Sequence, residues 1–217
     1  MTSLISQLQY ARDALRSKGL DWLQRQNNGE ISPRYGERIW IETKQCTMST
    51  KKAISRRKSG RIMGGEWDDC RTPVAELPKI SYCLDHWCGG LSWEEAGAYE
   101  YMQELIRLKS GRVDGLLTIE DIIARFKTLD GIYLQVKAEN QLKTAADAKG
   151  IAFRESGGIY MHIGRDGTPL FGNAGHHRLA IALALELPFF PAQLGLVHAQ
   201  ALASLPKFRE NPGGDKS

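Results

Sequence analysis

The last third of the chain contains an ordered succession of elements that constrains the fold more than any other feature. Residues 159–163 alternate as a strand does, and Arg165-Asp166-Gly167 supplies the Asp-Gly turn of a tight hairpin with residues 168–171. A glycine loop follows, then a helix rich in Ala and Leu that Pro188 ends, and then a strand over 189–197. This order predicts an α+β fold with a small mixed sheet surrounded by helices.

The rest of the sequence supplies the other elements of this fold. Arg38–Glu42 reads as a further strand of the sheet, whereas residues 70–150 read as a mostly helical insertion that caps the site. Thr118 begins a long helical stretch there, and Gly131 is expected to break or bend it. We therefore predict three parts: an amphipathic helix with an apolar stripe (Leu4, Leu8, Ala11, Leu15) over residues 1–30, one domain over 31–205, and a disordered tail over 206–217.

Composition and hydropathy predict a globular protein without a membrane span. Hydrophobic residues make up 42% of the 217 residues and charged residues 25%, which are globular proportions. The most apolar stretch, Leu179 to Phe190, has twelve residues, whereas a bilayer span needs about 20. Charged residues interrupt the N-terminal helix, so it lacks the apolar run of a secretory signal. We expect a soluble cytoplasmic protein with no membrane partner.

The net charge of +4 hides an excess of cations near the N-terminus. Residues 1–65 carry thirteen Lys or Arg against five Asp or Glu, a net of +8, whereas the remainder carries sixteen against twenty, a net of −4. Such a density of cations can bind the phosphates of DNA, or it can form a solvated loop. The densest part of the excess lies between residues 51 and 61, and its nucleic-acid candidates are Lys51, Lys52, Arg56, Arg57 and Lys58.

The glycine loop and the helix start after it form the strongest candidate site. The first amides of a helix have no partner within it and carry partial positive charge, so an anion is stabilised there. Gly172 and Gly175 would let a ligand approach the backbone, and the helix opens with His176, His177 and Arg178. The pattern predicts a phosphate or carboxylate site; the alternative is a histidine packed in the core beside an arginine that pairs with an acid.

These residues also carry a family resemblance. His162-Ile-Gly-Arg-Asp-Gly167 and Gly175-His-His-Arg-Leu-Ala-Ile-Ala182 resemble the ParB/sulfiredoxin superfamily. Sulfiredoxins have Gly-Cys-His-Arg at this helix start, and ParB proteins have Gly-Glu-Arg-Arg. The sequence is most similar to an uncharacterised ParB-like group with a Gly-Gly-Asp-Trp-Asp motif, here Gly64-Gly-Glu-Trp-Asp68, and a Gly-x-x-Trp-Glu segment, here Gly90 to Glu94.

The resemblance implies a nucleotide-binding domain. In ParB proteins the loop and the basic residues hold nucleotide phosphates, and archaeal free serine kinases use the same fold for phosphoryl transfer. We therefore expect a nucleoside triphosphate or diphosphate of the ATP or CTP class, bound with Mg²⁺, and a small-molecule acceptor if the chain is a phosphotransferase. Its phosphates would contact the glycine loop, the basic helix start and the hairpin: Gly172, Gly175, His176, His177, Arg178, His162 and Arg165. His177 would also take part in catalysis.

Two differences from the family pattern limit the functions that the resemblance implies. His176 stands where sulfiredoxins have cysteine, so repair of cysteine sulfinic acid is not expected. About nineteen residues follow His198, which leaves no room for the helix-turn-helix and dimerisation domains of a partitioning ParB. The alternative to a nucleotide-binding domain is a DNA-associated ParB-type protein or a nuclease that uses the basic segment.

Three further groups have two interpretations each. Glu66 and Asp68 could hold Mg²⁺ or act as a general base, or they could be solvated acids of a loop in which Trp67 packs inward. His162 could line the ligand site or lie on the solvent face of the hairpin. Cys83, His86 and Cys88, with Cys70 upstream, have the residue types of a zinc site but not the paired spacing of a zinc finger, so we expect free thiols.

Overall fold

The structure, a computed structural model, describes residues 4–212, without the side chains of Ile5 and Lys149. The chain divides into two compact units. Unit 1 is formed by Met1–Val74, Leu142–Gly175 and Pro188–Ser217, and unit 2 by Ala75–Gln141 and His176–Leu187. The fold class is α+β, as predicted. The predicted single domain over 31–205 is thus divided between both units, and the N-terminal helix belongs to unit 1.

Unit 1 contains a mixed sheet of seven strands within the described residues. Their order along the sheet is β1-β7-β5-β6-β2-β4, and β3 pairs with β7. The predicted strands are all present, and β2, β3 and β4 are additional strands of two or three residues. The strands are β1 (Arg38–Glu42), β2 (Met48–Thr50), β3 (Ile62–Met63), β4 (Arg71–Pro73), β5 (Ile159–Ile163), β6 (Pro169–Phe171) and β7 (Phe189–His198).

The centre of the sheet is formed by β5 and β7, which run parallel to each other. Every residue of β5 is buried, and so is every residue of β7 after Phe189. This burial explains why β7 is an almost continuous apolar run rather than an alternating one. The predicted hairpin is confirmed, because β5 pairs antiparallel with β6 across the Asp-Gly turn.

The N-terminal helix α1 (Leu4–Asn28) turns its polar side inward. Asp13, Ser17 and Gln24 are buried, and Gln24 donates hydrogen bonds to the carbonyl oxygens of Pro33 and Gly60. The apolar stripe predicted on this helix is exposed to solvent: Leu4, Leu8 and Leu15 are 71%, 63% and 70% exposed. The helix is therefore held to unit 1 by hydrogen bonds on one side and leaves a row of leucines uncovered on the other.

The disordered tail was predicted to start at residue 206, which is too early. Residues 199–208 form a 3₁₀ helix, Phe208 is buried, and Arg209 donates a 2.7 Å hydrogen bond to the buried carboxylate of Glu37. Pro206 to Arg209 thus belong to unit 1 because an aromatic ring and an ion pair attach them. Residues 213–217 of the predicted tail lie outside the described residues.

Unit 2 consists mainly of helices, and α5 (Ala145–Lys149) belongs to unit 1. Thr118 caps α4 through a capping box with Asp121, as its position suggested. The expected break at Gly131 is absent: α4 passes through it, because a glycine inside a helix costs only about 1 kcal/mol relative to alanine. The helices of unit 2 are α2 (Pro78–Trp87), α3 (Ala98–Lys109), α4 (Ile119–Glu139) and α6 (His176–Ala184).

Candidate functional site

The glycines of the predicted phosphate loop have a structural role in unit 1. A Cβ on Gly172 would lie 2.6 Å from Nε2 of His162, and a Cβ on Gly175 would lie 2.9 Å from the Cα of Ile159. Gly175 also has a φ of +93°, which disfavours any side chain. Both glycines are thus required where the loop returns along β5, and this packing explains them without a ligand.

The basic helix start lies in unit 2, because the boundary between the units follows Gly175. Nε2 of His177 lies 3.1 Å from the hydroxyl of Tyr82, and the nearby Lys79 forms an ion pair with Asp114. Burial, aided by the charge of Lys79, lowers the pKa of both His176 and His177 to about 4. Both rings are therefore neutral at pH 7, so Arg178 is the permanent cation of this first turn.

The acidic loop contains an ion pair between the buried carboxylate of Asp68 and the guanidinium of Arg165. Asp68 is fully buried, and its carboxylate accepts 2.7, 3.1 and 2.8 Å hydrogen bonds from the backbone N–H, Nε and Nη2 of Arg165. Burial alone would raise the pKa of Asp68, but the hydrogen bonds and charge of Arg165 lower it below its usual value. Asp68 and Arg165 thus satisfy each other in this structure, and the catalytic and Mg²⁺ roles of Asp68 and the phosphate role of Arg165 stay predictions from the sequence.

The two residues that precede Asp68 in this loop differ in their exposure to solvent. Glu66 is exposed, while Trp67 is buried and packs edge-on against His162 with ring centroids 5.5 Å apart. The loop therefore fixes its tryptophan inside unit 1, which is the alternative interpretation, and leaves Glu66 as its accessible candidate base.

His162 is an interior residue of the sheet. It is fully buried, so of its two interpretations the one that placed it on the solvent face of the hairpin does not hold. The backbone N–H of Leu196 donates a 2.8 Å hydrogen bond to Nδ1, which fixes the proton of the neutral ring on Nε2. Nε2 has no hydrogen-bond partner among the described residues, and burial lowers the pKa of the ring to about 3. These contacts place His162 in the packed interior of the sheet, and its role as a phosphate ligand stays a prediction from the sequence.

Acidification should destabilise the protein through its buried histidines. Below pH 6.5 the unfolded chain takes up protons at His162, His176 and His177, whereas the folded chain does not until about pH 4 or below. Stability should therefore be complete above pH 7 and fall as the pH is lowered from 6.5 to 4. Urea unfolding midpoints at pH 7.5 and 4.5 measure this fall, and ring-carbon NMR shifts follow His162. A ring that titrates near pH 6.5 would contradict the buried neutral form.

Residues 4–212 contain no cluster of three or more His, Cys, Asp or Glu side chains arranged to hold a metal ion. Cys83 is buried, which raises its pKa, and Cys70 and Cys88 are exposed. His86 contacts the carboxylate of Asp130 at 3.1 Å. Asp130 is thus a carboxylate partner of His86.

The basic segment divides into exposed cations and one anchored arginine. Lys51, Lys52, Arg57 and Lys58 are exposed. Arg56 is partly buried: it donates hydrogen bonds to the side-chain oxygen of Gln193 and, at 2.7 Å, to the carbonyl oxygen of Gly158. Its guanidinium also lies 5.2 Å from the ring centre of Tyr160. The segment is thus attached to the sheet at Arg56.

The segment and α1 together line the cavity that we regard as the candidate site. The cavity lies within unit 1 and has a volume of about 470 Å³, a size that suits a small-molecule ligand. Its wall carries four guanidinium groups and a single carboxylate, that of Asp13, so the formal charge of the lining is +3. The four arginines are Arg12 and Arg16 of α1 and Arg56 and Arg57 of the basic segment. We name it the arginine cavity.

A chain of hydrogen bonds fixes one wall of the arginine cavity. Arg16 donates to the hydroxyl oxygen of Tyr35 at 3.2 Å, and that hydroxyl donates to Asp13 at 3.2 Å. Burial raises the pKa of Tyr35, so the hydroxyl keeps its proton. Arg12 lies 3.6 Å from the same carboxylate, and its side chain is 61% exposed. The single acid of the wall is therefore already engaged, and Arg12 remains accessible to a ligand.

Aromatic and neutral polar groups complete the lining. Tyr10 and Phe153 meet edge-on with ring centroids 5.7 Å apart. Ser156 contributes a buried hydroxyl oxygen for which the described part of the chain offers no hydrogen-bond partner. A buried polar atom without a partner costs free energy, so a ligand that bonds to this hydroxyl gains affinity.

Comparison with known proteins gives no assignment. No family model, curated protein or solved structure matches the chain. Likeness to ParB and sulfiredoxins therefore remains a prediction from the sequence. No helix between residues 4 and 212 is both long and apolar enough to cross a membrane.

The sequence analysis identified only two of the four arginines of the arginine cavity. Arg56 and Arg57 were candidates because the basic segment is dense, but Arg12 and Arg16 were missed. Their spacing of four residues, which places both near one side of a helix, was the available signal. This spacing indicates a binding site only when the polar side of α1 is known to face the interior of unit 1.

Proposed function

We propose that this chain binds a nucleotide, with its phosphates held by the arginine cavity. The observation that carries the proposal is the lining itself: four guanidinium groups and one engaged carboxylate around about 470 Å³. An excess of positive charge within a concave, partly desolvated site concentrates anions there. A nucleoside diphosphate or triphosphate of the ATP or CTP class supplies the complementary charge and fits this size.

The individual side chains suit the two ends of such a ligand. The planar guanidinium fork binds two phosphate oxygens at once, and Arg12 and Arg57 are the most accessible forks of the cavity. Tyr10 and Phe153 offer ring surfaces against which a base can stack. Mg²⁺ would enter with the nucleotide phosphates, because no protein metal cluster is found among residues 4–212.

Phosphoryl transfer to a small acceptor is the extension of this proposal. It needs a base for the acceptor hydroxyl. Glu66, the acidic candidate from the sequence, keeps an exposed carboxylate but does not line the arginine cavity. Phosphorus NMR of wild-type protein with nucleotide, Mg²⁺ and a pool of small hydroxyl compounds tests it. Consumption of nucleotide that Glu66→Gln slows at least about a hundredfold would support transfer; no consumption would leave a binding protein.

Nucleotides should raise the melting temperature of the protein in a thermal-shift screen. A ligand at a hundred times its dissociation constant adds about 2.7 kcal/mol of stability. We expect Arg12→Ala to reduce the shift strongly. Lys18→Ala should leave it unchanged, because Lys18 is an exposed cation of α1 that does not line the cavity. Equal shifts in both variants would contradict binding in this cavity. Arg178→Ala is a third variant, and a shift lost only there would move the site to the start of α6.

Nucleic-acid binding is the alternative function, and one observation favours it. Lys51, Lys52, Arg57 and Lys58 all point into solvent, so a strand of DNA could contact several of them. Each neutralised phosphate adds close to −0.9 to the log–log slope of affinity against salt. A DNA affinity that falls with a slope of about −3 or steeper, and that Lys51→Ala/Lys52→Ala weakens, would support this function over nucleotide binding.

A further inference from the structure

The outward face of α1 carries a heptad pattern of apolar residues that a single lysine, Lys18, interrupts. Its seam positions follow one another at intervals of four, three, four, three and four residues. This spacing is typical of a helix that packs against another helix by inserting side chains between those of its partner. The seam comprises Leu4, Leu8, Ala11, Leu15, Lys18 and Trp22.

The burial of α1 shows that unit 1 does not use this seam. All six seam residues are exposed, and Trp22, the largest of them, is 65% exposed. The opposite side of the helix holds the buried Asp13, Ser17 and Gln24 and part of the arginine cavity. A second helix can therefore cover the seam without disturbing either the attachment of α1 or the cavity.

The charges on the seam select the direction of a like partner. Two parallel copies of α1 would place Lys18 against Lys18 and, one step further, Arg25 against Arg25. An antiparallel pair centred near residue 13 avoids both contacts. It sets Trp22 against the partner's Leu4, Leu15 against the partner's Ala11, and the aliphatic stem of Lys18 against the partner's Leu8. Each layer then pairs an apolar residue with another apolar residue or with the aliphatic stem of a lysine.

The length of the seam sets the strength of such an interface. A helix of 25 residues is about 37 Å long and about 10–12 Å wide, so pairing covers roughly 400 Å² on each copy. A total near 800 Å² lies below the range of permanent dimers and at the low end of weak, reversible complexes. The dimer should therefore form at micromolar concentrations and above.

We propose that two copies of this chain associate through an antiparallel pairing of their α1 seams. The proposal rests on the period, exposure and charge pattern of α1 and is independent of the nucleotide proposal. The arginine cavity of each copy remains open, because it lies on the other side of the helix. Dimerisation would place two such cavities in one assembly.

Sedimentation equilibrium of the full chain between 1 and 200 µM, under reducing conditions, tests the pairing. We expect a concentration-dependent dimer for the wild type and for Leu134→Lys, which replaces a 61% exposed leucine of α4 outside the seam. Leu15→Lys should weaken association at least about tenfold. Its circular dichroism should be unchanged, since Leu15 is 70% exposed. If Leu15→Lys did not fold, Leu8→Lys gives the same comparison.

A wild type that is monomeric at 200 µM would overturn the proposal, and so would equal weakening by Leu15→Lys and Leu134→Lys. Leu8→Glu tests the antiparallel direction, because only that direction brings the new carboxylate to the partner's Lys18. It should weaken the dimer less than Leu15→Glu does; the reverse order would overturn the direction. Flotation with vesicles containing anionic lipid tests whether the seam binds a membrane surface. Binding of a monomeric wild type there would assign the seam to a membrane surface instead.

Discussion

Replacing Gly195 by alanine is expected to unfold unit 1 or to destabilise it by at least about 3 kcal/mol. A Cβ at this position in β7 would lie 2.6 Å from Cε1 of His162 and closer still to Nδ1. His162 cannot withdraw, because it is fully buried and Nδ1 accepts the hydrogen bond of Leu196. The substitution therefore combines overpacking, which costs about 1–3 kcal/mol, with loss of a buried hydrogen bond.

Urea unfolding followed by circular dichroism measures this loss. Gly19→Ala in α1 is the control, because nothing lies within 4 Å of its Cβ position. That change should stabilise the helix by about 0.5–1 kcal/mol. A Gly195→Ala protein as stable as the wild type would show that His162 does not occupy the space beside β7.

Replacing Asp68 by asparagine is expected to cost about 3 kcal/mol. The change keeps the shape of the side chain but removes the buried one of the two carboxylates that contact Arg165, and breaking a buried ion pair typically costs 3–5 kcal/mol. Because the Arg165 side chain is 35% exposed, water should recover part of that cost and keep it near the lower limit. The pKa of Asp68 is lowered in the folded protein, so its contribution is present at neutral pH and lost as acid protonates it.

Chemical denaturation at pH 7 and pH 3 distinguishes this role from a catalytic one. Asp69→Asn is the matched control, since the neighbouring carboxylate also contacts Arg165, at 2.7 Å, but is exposed. It should cost less than about 1 kcal/mol, as surface ion pairs do. If the two variants were equally stable at pH 7, Asp68 would be free to act as the base that the sequence suggested.

The central strands and the helical middle of the chain could be predicted from sequence because their patterns are local. The Asp-Gly turn between β5 and β6 and the capping box at Thr118 each satisfy their own backbone groups. The strands β2, β3 and β4 have only two or three residues, too few to show a period. They exist because neighbouring strands pair with them, and sequence does not show such long-range pairing.

The candidate site was harder to predict because its chemistry depends on which groups satisfy each other. Asp68 and Arg165 are 97 residues apart, and both had interpretations as functional groups until their ion pair became visible. His162 and Gly172 likewise read as parts of a ligand loop, whereas they pack against one another. The arginine cavity combines side chains from α1, from the basic segment and from the chain around Phe153, a combination that only the fold creates.

Isothermal titration of Mg²⁺-nucleotide into Arg57→Ala and Lys58→Ala tests the central claim most directly. The two cations are neighbours in one 3₁₀ turn and are both exposed, but only Arg57 lines the arginine cavity. Loss of a charged hydrogen bond to phosphate costs about 1.5–3 kcal/mol. We therefore expect Arg57→Ala to raise Kd ten- to a hundredfold and Lys58→Ala to leave it within about twofold of the wild type. Equal Kd values in the wild type and in Arg57→Ala would contradict nucleotide binding in this cavity.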